Sequence, residues 1–310
     1  MPAVSVVVIS RNRRESLLGT LTRLVALPGA PPVLVVDNGS TDGTPGAVRR
    51  SFPAVTVIEA GANLGAAGRT RGVAAAGTPY VAFADDDSWW APGALGRAVE
   101  LFDRHPRLGV LAARVLVGPE ERLDPVCAVM AASPLGHAPD LPGPSVLGFV
   151  ACGAVVRRSA YLQVGGFHPR FGVGGEEELL AIDLSERGWE LVYVDAVVTH
   201  HLPSPSRDPA SRRVTQVRNA LWTAWLRRPL PSMVRSAAAL TARLQREPAA
   251  RRGLAAATAG LPWVLRERRV ISAGLEGRLR LLGRSDVDGS DVDGCDADGS
   301  DVGRRHCGQA

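Results

Sequence analysis

The chain has 310 residues, of which 45% are hydrophobic and 22% are charged, and its formal net charge is +5. This length allows one large domain or two smaller ones. The composition is that of an ordinary soluble globular protein and excludes a fibre or a wholly disordered chain.

The N-terminus and the cysteines predict where the protein is found. "MPAVSVVVISRNRR" puts a short apolar run before its arginines, the reverse of a signal peptide, and neither it nor the later "GLAAATAGLPWVL" is long enough to span a bilayer. We therefore expect no transmembrane helix. The four cysteines, Cys127, Cys152, Cys295 and Cys307, form no CxxC pair and no cluster with histidines. This pattern argues against a zinc site or a disulfide framework and favours a cytoplasmic protein.

The first 85 residues contain four short apolar runs, "VSVVVIS", "PVLVVD", "VTVIEA" and "YVAFAD", with helical patterns such as "RRESLLGTLTRLVAL" and "GAAGRTRGVAAAG" between them. Continuous apolarity predicts strands that are buried on both faces of a parallel sheet. Strands that alternate with helices predict an α/β fold with a doubly wound, mostly parallel sheet and right-handed crossovers.

Acidic residues follow three of these strands. Asp37 ends the second, Glu59 ends the third, and the triplet Asp85–Asp87 ends the fourth. Ligands of open parallel sheets bind beyond the carboxyl ends of the strands, so we expect these acids to line one cleft.

The triplet admits two interpretations. One aspartate is enough to cap the helix that we expect near Pro92, which leaves the crowding of three like charges unexplained. A divalent cation removes that repulsion, and alternate residues of an extended segment, here Asp85 and Asp87, point to the same side. We favour a Mn²⁺ or Mg²⁺ site whose shell a ligand diphosphate completes.

Two turns offer further ligand contacts. "DNGSTDGT" is a turn by composition, and its Asn38, Ser40 and Thr41 can hydrogen bond to the edge of a base. "GANLGAAGR" lets the backbone approach a ligand and opens a helix, whose first N–H groups favour phosphate.

The second half of the chain continues the pattern. "APGALGRAVELFDRHP" predicts a helix, "LGVLAARVLV" a fifth strand, "GFVACGAVVRR" another strand and "SAYLQVGG" a short helix. "GGEEELLAIDLSERGWELVYVDAVVTHH" then predicts a helix that stops at Gly188 and a strand that ends in two histidines. The Pro- and Gly-rich connection over residues 118–148 is either a loop that shapes an acceptor site or a disordered insert.

The C-terminal third is strongly basic. Between Ser204 and Arg284 there are 17 arginines and four acids, a local balance of +13, and residues 209–283 show mostly helical patterns broken by prolines. Basic amphipathic helices predict peripheral contact with anionic lipid at the inner face of the cell membrane. Nucleic-acid binding is the less favoured alternative, because aromatic residues make up only 5% of the chain and no nucleic-acid-binding motif is present.

The last segment is a repeat, "SDVDGSDVDGCDADGSDVG". Its aspartates resemble part of a calcium loop, but the terminal glutamate and the flanking helices of such a loop are missing. We therefore expect residues 285–310 to form a disordered acidic tail.

The ordered set "SVVVISRNR", "VVDNGSTDGT", "GANLGAAGRTRG", "FADDDSWWAPGAL", "CGAVVRRSAYLQVGGF", "GGEEELLAIDLSERGW" and "VVTHH" resembles the family-2 glycosyltransferases of GT-A fold. The resemblance implies a Rossmann-like domain over residues 1–228, with a nucleotide-sugar-binding half (1–115) and an acceptor-binding, catalytic half (116–228), followed by an Arg-rich helical extension (229–284). It implies inverting transfer of a sugar from a nucleoside-diphosphate sugar, UDP or TDP favoured, to an acceptor hydroxyl. The acceptor would be a sugar, a lipid-linked sugar or a small molecule in cell-wall, exopolysaccharide or glycoconjugate synthesis.

The resemblance also implies donor-binding residues. Asp85 and Asp87 stand on the DxD motif that holds the metal, Asp37 matches the acid that reads the base and ribose, and "SRNR" matches the lining of the uracil or thymine pocket. Arg71 stands near a position where the family usually has asparagine. The implied nucleotide-sugar contacts are Ser10, Arg11, Asn12, Asp37, Asn38, Ser40, Asn63, Gly65, Arg69, Arg71, Asp85 and Asp86.

The glutamate triplet carries the implied catalytic base. Acids in the first turn of a helix complement its dipole, which accounts for one or two of the three. Counted back from Gly188, Glu176 and Glu177 fall on the family's Glu-Asp pair, and Glu177 replaces the catalytic aspartate. Glutamate is one methylene longer, so either Glu177 reaches differently or Glu176 is the base. The base would take the proton of the acceptor hydroxyl while the metal stabilises the departing diphosphate.

The two histidines point to opposite faces of their strand, so only one can face the cleft. The resemblance makes a histidine here a third ligand of the metal or diphosphate, and we favour His200 over His201, with no metal contact as the alternative.

Four tryptophans are candidates for the acceptor side: Trp89 and Trp90 after the acid triplet, and Trp222 and Trp225, which share a helical face with Asn219. Such a stripe can equally belong to the core.

Two competing functions remain from sequence: a protein that binds an anionic surface through its basic C-terminal third, and a non-catalytic, nucleotide-binding relative. A non-catalytic, nucleotide-binding relative would explain the altered Glu-Asp pair as a lost base. A dinucleotide-binding dehydrogenase is disfavoured, because no GxGxxG follows the first strand.

Overall fold

The computed structural model describes residues 2–203, 209–235 and 247–288. In chain order the strands are β1 (Val4–Ser10), β2 (Val33–Asp37), β3 (Thr56–Glu59), β4 (Tyr80–Asp85), β5 (Ser88–Trp90), β6 (Leu108–Val117), β7 (Arg122–Leu123), β8 (Ala154–Arg157) and β9 (Glu190–His201). The helices are α1 (Arg14–Val25), α2 (Thr44–Ser51), α3 (Gly68–Ala75), α4 (Ala94–Arg104), α5 (Pro125–Ala131), α6 (Arg158–Gln163), α7 (Glu176–Glu186), α8 (Pro209–Arg227), α9 (Pro248–Ala259), α10 (Leu261–Glu267) and α11 (Ala273–Asp288).

A single sheet organises the described part of the chain, in the order β3-β2-β1-β4-β8-β6-β9-β5, with β7 paired to β6. The strands β3, β2, β1 and β4 are parallel neighbours. All seven residues of β1 are buried. Val6 and Val8 join the apolar core on one face of the sheet, and Val7 and Ile9 join the core on the other. The runs that form β1, β2 and β4 are therefore strands covered on both faces, as predicted, whereas β3 lies at the edge of the sheet and its residues are exposed or half-buried.

The second half of the sheet mixes directions. β8 is antiparallel to both β4 and β6, β9 is parallel to β6, and the three-residue β5 is antiparallel to β9. This arrangement confirms the α/β class. It also brings the end of β9, with its two histidines, beside the strand that directly follows the acid triplet.

The long connection over residues 118–148 is folded. Asp124 caps α5 by accepting a 2.9 Å hydrogen bond from the N–H of Val126. Ser145 forms an isolated bridge with Val192 of β9. The disordered-insert alternative is therefore wrong.

The C-terminal region is helical, as predicted, and residues 230–235 are helical as well. Helix α8 packs on α7, α9 and α10 around an apolar cluster that includes Phe171, Trp222 and Trp263. Helix α11 runs to Asp288, past the predicted start of the tail, and residues 289–310 lie outside the described residues. In the part of the chain that is described, no helix is both long and apolar enough to cross a membrane.

Candidate active site

The acid triplet forms a turn. Asp85 is the last residue of β4, and Asp86 and Asp87 make the turn that leads into β5. The N–H of Asp85 donates to Ser88 Oγ across this turn at 2.8 Å. The three carboxylates therefore meet different partners, and the extended segment that we expected here does not exist. Nor do they cap α4, which begins at Ala94 after Gly93.

The middle aspartate holds the turn in place. Asp86 Oδ2 accepts from Ser10 Oγ at 2.9 Å, and Asp86 Oδ1 lies 3.1 Å from Arg13 Nε. Its backbone oxygen accepts from Ser16 Oγ and Thr20 Oγ1 of α1, at 2.8 and 2.9 Å. Burial raises the pKa of Asp86 to about 7, against the effect of Arg13, which favours the charged form. Asp86 and Ser10, both predicted donor contacts, therefore bind each other here, and their contact with a donor stays a prediction.

Asp85 pairs with a buried arginine. Arg69 of α3 is 2% exposed, and its Nη2 contacts Asp85 Oδ1. Its guanidinium carbon lies 5.8 Å from the ring centres of both Phe83 and Phe167. Its Nε and Nη1 make no hydrogen bond within the described residues. Burial acts to lower the pKa of Arg69, but Asp85 and the glutamates of α7 outweigh it and raise the pKa, so this arginine stays a cation.

The third aspartate meets the end of β9. His201 Nε2 lies 3.4 Å from Asp87 Oδ1, and Arg13 Nη2 lies 3.3 Å from Asp87 Oδ2. His200 turns the other way, where its Nδ1 is 3.2 Å from Glu121 Oε1. The preference for His200 is therefore wrong: His201 is the histidine beside the acids.

These residues suit a metal that is held jointly with a substrate. Within residues 2–203, 209–235 and 247–288, no group of three or more His, Cys, Asp or Glu side chains is arranged to hold a metal ion. Asp87 and His201 are nevertheless neighbours, and together they could supply one oxygen and one nitrogen ligand to a metal. Mg²⁺ commonly uses one or two protein ligands and takes the rest of its shell from phosphates and water. The pair fits such a metal, and it does not form a closed metal cage.

The two loops after β1 and β2 are joined. Asp37 Oδ2 accepts from the N–H groups of Gly39 and Ser40, at 3.1 and 2.9 Å, and its Oδ1 has no hydrogen-bond partner in the described chain. Asn12 has a positive φ of 53°, donates its N–H to Ser40 Oγ at 2.9 Å, and accepts from the N–H of Thr41 at 2.7 Å. The structure thus brings together Asn12, Asp37 and Ser40, which the sequence only suggested separately.

The third predicted loop contacts the second. Gly65–Ala67 forms a 3₁₀ turn before α3, and Asn63 Oδ1 accepts from the N–H of Gly65 at 3.0 Å. Asn38 Nδ2 donates to the oxygen of Gly65, also at 3.0 Å. Two candidates point elsewhere: Arg71 donates to Ala60 O at 3.3 Å on the surface, and Arg11 is exposed without a hydrogen bond or ion pair described for it.

The glutamates at the start of α7 differ in environment. Glu176 is buried and accepts from the N–H of Gly174, whereas Glu177 is partly exposed. Burial raises the pKa of Glu176, although Arg69 and the nearby backbone N–H groups favour its charged form. Burial and the neighbouring Glu176 raise the pKa of Glu177 to about 8. Glu177 is therefore the better placed of the two to meet a ligand and to take up a proton.

Two of the four candidate tryptophans, Trp90 and Trp222, are buried, and the other two, Trp89 and Trp225, are partly buried. Trp90 is 1% exposed and donates its Nε1–H to Phe83 O, and Trp222 donates to Ala257 O, both at 3.0 Å. Trp225 packs against the cluster that contains Trp222. Trp89 is contacted by the guanidinium of Arg23 at 4.0 Å and stacks on His200 at 5.4 Å. The predicted acceptor role is therefore corrected for Trp90 and Trp222, which belong to the core.

Sequence reasoning missed the role of Arg13. This residue binds both Asp86 and Asp87, so it neutralises part of the acid turn. Its presence in "SRNRR", directly after the first strand, was the available signal, because the ends of β1 and β4 are neighbours in the sheet.

Comparison with known proteins gives consistent matches. Residues 5–165 match the family described as Glycosyl transferase family 2. Over 285 residues the chain is 30% identical to the N-acetylglucosaminyl-diphospho-decaprenol L-rhamnosyltransferase of Mycobacterium tuberculosis (strain CDC 1551 / Oshkosh), with 79% of this chain and 92% of the relative covered.

Two solved structures share the fold. The mannosyltransferase PcManGT from Pyrobaculum calidifontis, in complex with GDP-Man and Mn²⁺, has a TM-score of 0.59 at 21% identity, with 92% of this chain and 87% of that chain covered. S. aureus TarS 1-349, in complex with UDP-GlcNAc, has a TM-score of 0.55 at 15% identity, with 72% and 66% covered. At these identities the likeness supports the fold alone.

Proposed function

The chain belongs to glycosyl transferase family 2, and from this premise we propose that it is an inverting transferase that uses a nucleoside-diphosphate sugar and an acceptor hydroxyl. One observation carries the proposal: Arg69 is paired with Asp85 at the carboxyl end of β4, and in the turn that follows Asp87 meets His201. Arg69 also favours the charged form of the partly exposed Glu177. A base, a buried cation and a pair of metal-compatible donors are what the transfer requires.

We assign the general base to Glu177. The acceptor oxygen would form a bond to the anomeric carbon as its proton passes to the Glu177 carboxylate, while the bond between that carbon and the diphosphate oxygen breaks. A raised pKa makes the carboxylate a stronger base near neutral pH, where general bases work best. The carboxylate of Glu176 accepts a hydrogen bond from the N–H of Gly174, and its negative charge raises the basicity of Glu177.

The donor half lies in residues 1–115 in this proposal, and residues 116–228 supply the base and the acceptor site. Asp37 and Asn38, in the loop after β2, would face the base and ribose, and Arg69 would face the diphosphate. Asp87 and His201 would hold Mn²⁺ or Mg²⁺, with Asp85 next to them. When bound, this metal supplies positive charge to the departing diphosphate.

The name of the relative supports a proposal for the substrate class. Its name states an L-rhamnosyl transfer to N-acetylglucosaminyl-diphospho-decaprenol, and 92% of its length aligns with this chain. We propose a deoxyhexosyl donor carried by TDP or UDP and an acceptor sugar on a lipid diphosphate, in the synthesis of a cell-wall or related glycoconjugate.

The test is a panel of nucleoside diphosphates in a thermal-shift assay, with and without Mn²⁺, followed by product analysis with the sugar nucleotide of the base that stabilises most. We expect one base to stabilise the protein only with metal, and we expect Asp87→Ala to lose that dependence. Arg71→Met is the matched control for a charged surface residue near the donor loops. No stabilisation by any nucleotide would refute the assignment. Metal-dependent stabilisation by a nucleotide, with no release of nucleoside diphosphate from any donor, would favour the non-catalytic, nucleotide-binding relative.

We further propose that the C-terminal region contacts the membrane that carries the acceptor. Leu230 and Val234 are each 67% exposed and lie one turn apart, and Leu261 and Leu265, also one turn apart, are exposed on α10. The N–H of Arg269 donates to Leu226 O at 2.9 Å, so the segment that follows α10 lies against the end of α8, just before Leu230. Apolar side chains among arginines are the chemistry of an anionic lipid surface.

Vesicle sedimentation tests this contact. At low salt we expect the protein to pellet with vesicles that contain anionic lipid and to stay in solution with zwitterionic vesicles. Leu230→Asp combined with Leu265→Asp should abolish pelleting. Val126→Asp combined with Val129→Asp is the control, because these residues are also exposed but lie on α5. Pelleting that is equal in both double variants, or absent with anionic vesicles, would contradict the proposed surface.

A further inference from the structure

A glycine-rich loop leads into the helix that carries the glutamates. In "FGVGG", residues 171–175, Gly172, Gly174 and Gly175 have φ angles of +74°, +119° and +81°, a region that favours glycine. Gly175 is the N-cap of α7 and offers no side chain to cap it. The local sequence therefore permits the loop to take its path, and Glu176 ties it at one point by accepting from the N–H of Gly174.

The side chain of Asn219, on α8, anchors the loop by hydrogen bonds. Its side chain is fully buried, and its Nδ2 donates to Phe171 O at 3.0 Å and to Gly174 O at 2.7 Å. Its Oδ1 accepts from Nε and Nη2 of Arg218 at 3.1 and 2.9 Å, and the same Nη2 donates to Phe171 O at 2.6 Å. Both hydrogens and both lone pairs of the amide are used, so its orientation is fixed.

The other side of the loop contacts the donor-binding segment. Gly172 O accepts from the N–H of Ala66 at 3.0 Å, and a Cβ on Gly65 would lie only 2.7 Å from Gly172 Cα. Gly65 in turn accepts from Asn38. The loop thus lies between α8 on one side and the nucleotide-binding loops on the other, and it ends at the glutamates.

We propose that Asn219 is a positioning residue for sugar transfer: its amide anchors the loop 171–174 and so fixes where Glu177 stands relative to the donor loop. This inference rests on the proposed function, in which Glu177 is the base. A base that shifts by about 1 Å can lose roughly 10²-fold in rate. The amide of Asn219 donates to both carbonyl oxygens, of which Phe171 O also accepts from Arg218; aspartate, which has the same shape, would place an acceptor against both of them.

A purely structural role is the alternative, and α8 offers a matched control. Thr223 lies one turn after Asn219, is also fully buried, and its Oγ1 has no hydrogen-bond partner in the described chain. Thr223→Val removes a buried hydroxyl from the same helix without changing its shape. Thr223→Val therefore tests whether the loss of a buried polar group from this helix is enough by itself to change the loop or the rate.

The experiment compares Asn219→Ala and Asn219→Asp with Thr223→Val in the full chain. Three quantities are measured: hydrogen exchange of peptides covering residues 171–177, nucleoside-diphosphate affinity, and kcat. For both Asn219 variants we expect faster exchange in this loop, unchanged affinity and a loss of about 10²-fold in kcat. Thr223→Val should match the wild type in all three. Because Asn219→Asp keeps the shape of the side chain, it covers the case in which Asn219→Ala does not fold.

Two outcomes overturn the inference. If Asn219→Asp matches Thr223→Val in both exchange and kcat, the Asn219 amide does not anchor the loop. Faster exchange with unchanged kcat would show a structural role only. Since exchange does not depend on turnover, a wild-type protein with a protected loop and no transferase activity would instead contradict the proposed function.

Discussion

Replacing Arg69 by methionine should destabilise the protein because it leaves buried carboxylates without their cation. Arg69 is 2% exposed, bonded to Asp85, and acts on Glu176 and Glu177, whose pKa values it lowers. Methionine fills much of the same space between the two phenylalanine rings, so the main change is the loss of charge. Removing one partner of a buried ion pair typically costs about 3–5 kcal/mol.

The exposure of Asp85 favours the lower part of that range. Its side chain is 26% exposed, so water can take over part of the stabilisation that Arg69 gave it. At about 3 kcal/mol, and at roughly 2 °C per kcal/mol for a chain of this size, Tm should fall by about 6 °C.

The loss should depend on pH. Folding raises the pKa of both glutamates above their ordinary values, so the folded protein binds more protons than the unfolded chain, and stability falls as pH rises between those values and about 8. Without Arg69, the ionised form of these glutamates is even less favourable in the folded protein than it is in the wild type. The Tm difference between wild type and Arg69→Met should therefore be larger at pH 8.5 than at pH 6.

Thermal unfolding followed by circular dichroism at the two pH values measures this. Arg71→Met is the control, because Arg71 lies two residues further on α3 and its only described bond is to Ala60 O at the surface. Arg69→Met combined with Asp85→Asn should recover part of the loss, since the two residues are in contact. The reasoning fails if Arg69→Met and Arg71→Met unfold at the same temperature at both pH values.

Four further variants, with His200→Ala as a control, test the site and its support. Glu177→Gln should lower kcat by roughly 10²- to 10⁴-fold with little change in nucleotide affinity, and Glu176→Gln should shift the acidic limb of the pH–rate profile to lower pH, because it removes a negative neighbour from the base; an unshifted limb would argue against Glu177. His201→Ala should weaken the metal-dependent thermal shift by nucleotide more than His200→Ala does, and equal effects would contradict the placement of His201 beside the acids. Although burial opposes it, hydrogen bonds from arginines and a serine lower the pKa of Glu276 to about 2, so its contribution to stability should be present above its ordinary pKa and lost as pH falls toward 2; acid unfolding of Glu276→Gln that matches the wild type would refute this.

The parallel half of the sheet could be predicted because its signal is local. In β1 every residue is buried, so the sequence is apolar without interruption, and the same holds for β2. Strand β5 could not be predicted, because three residues, "SWW", carry no periodicity and depend on pairing with β9, over a hundred positions later.

The orientation of the histidines could not be derived for a different reason. Side chains alternate along a strand only while its register is regular, and the pairing of β6 with β9 shifts between Ala113 and Arg114. Because of this irregularity, the alternation of residues in the sequence of β9 does not tell which face of the sheet each side chain is on. Similarly, the burial of Trp222 depends on α9 and α10, which pack on it from later in the chain.

The acid turn also explains how three adjacent carboxylates are tolerated before any metal binds. Asp85 is paired with Arg69, Asp86 with Arg13 and Ser10, and Asp87 shares Arg13. Repulsion among the three is therefore largely balanced within the protein, so the triplet by itself is weaker evidence for a cation than its sequence suggests. The evidence that remains is positional: of the three, only Asp87 lies beside a histidine. A metal in this site should depend on the diphosphate for most of its ligands, and its affinity without nucleotide should be low.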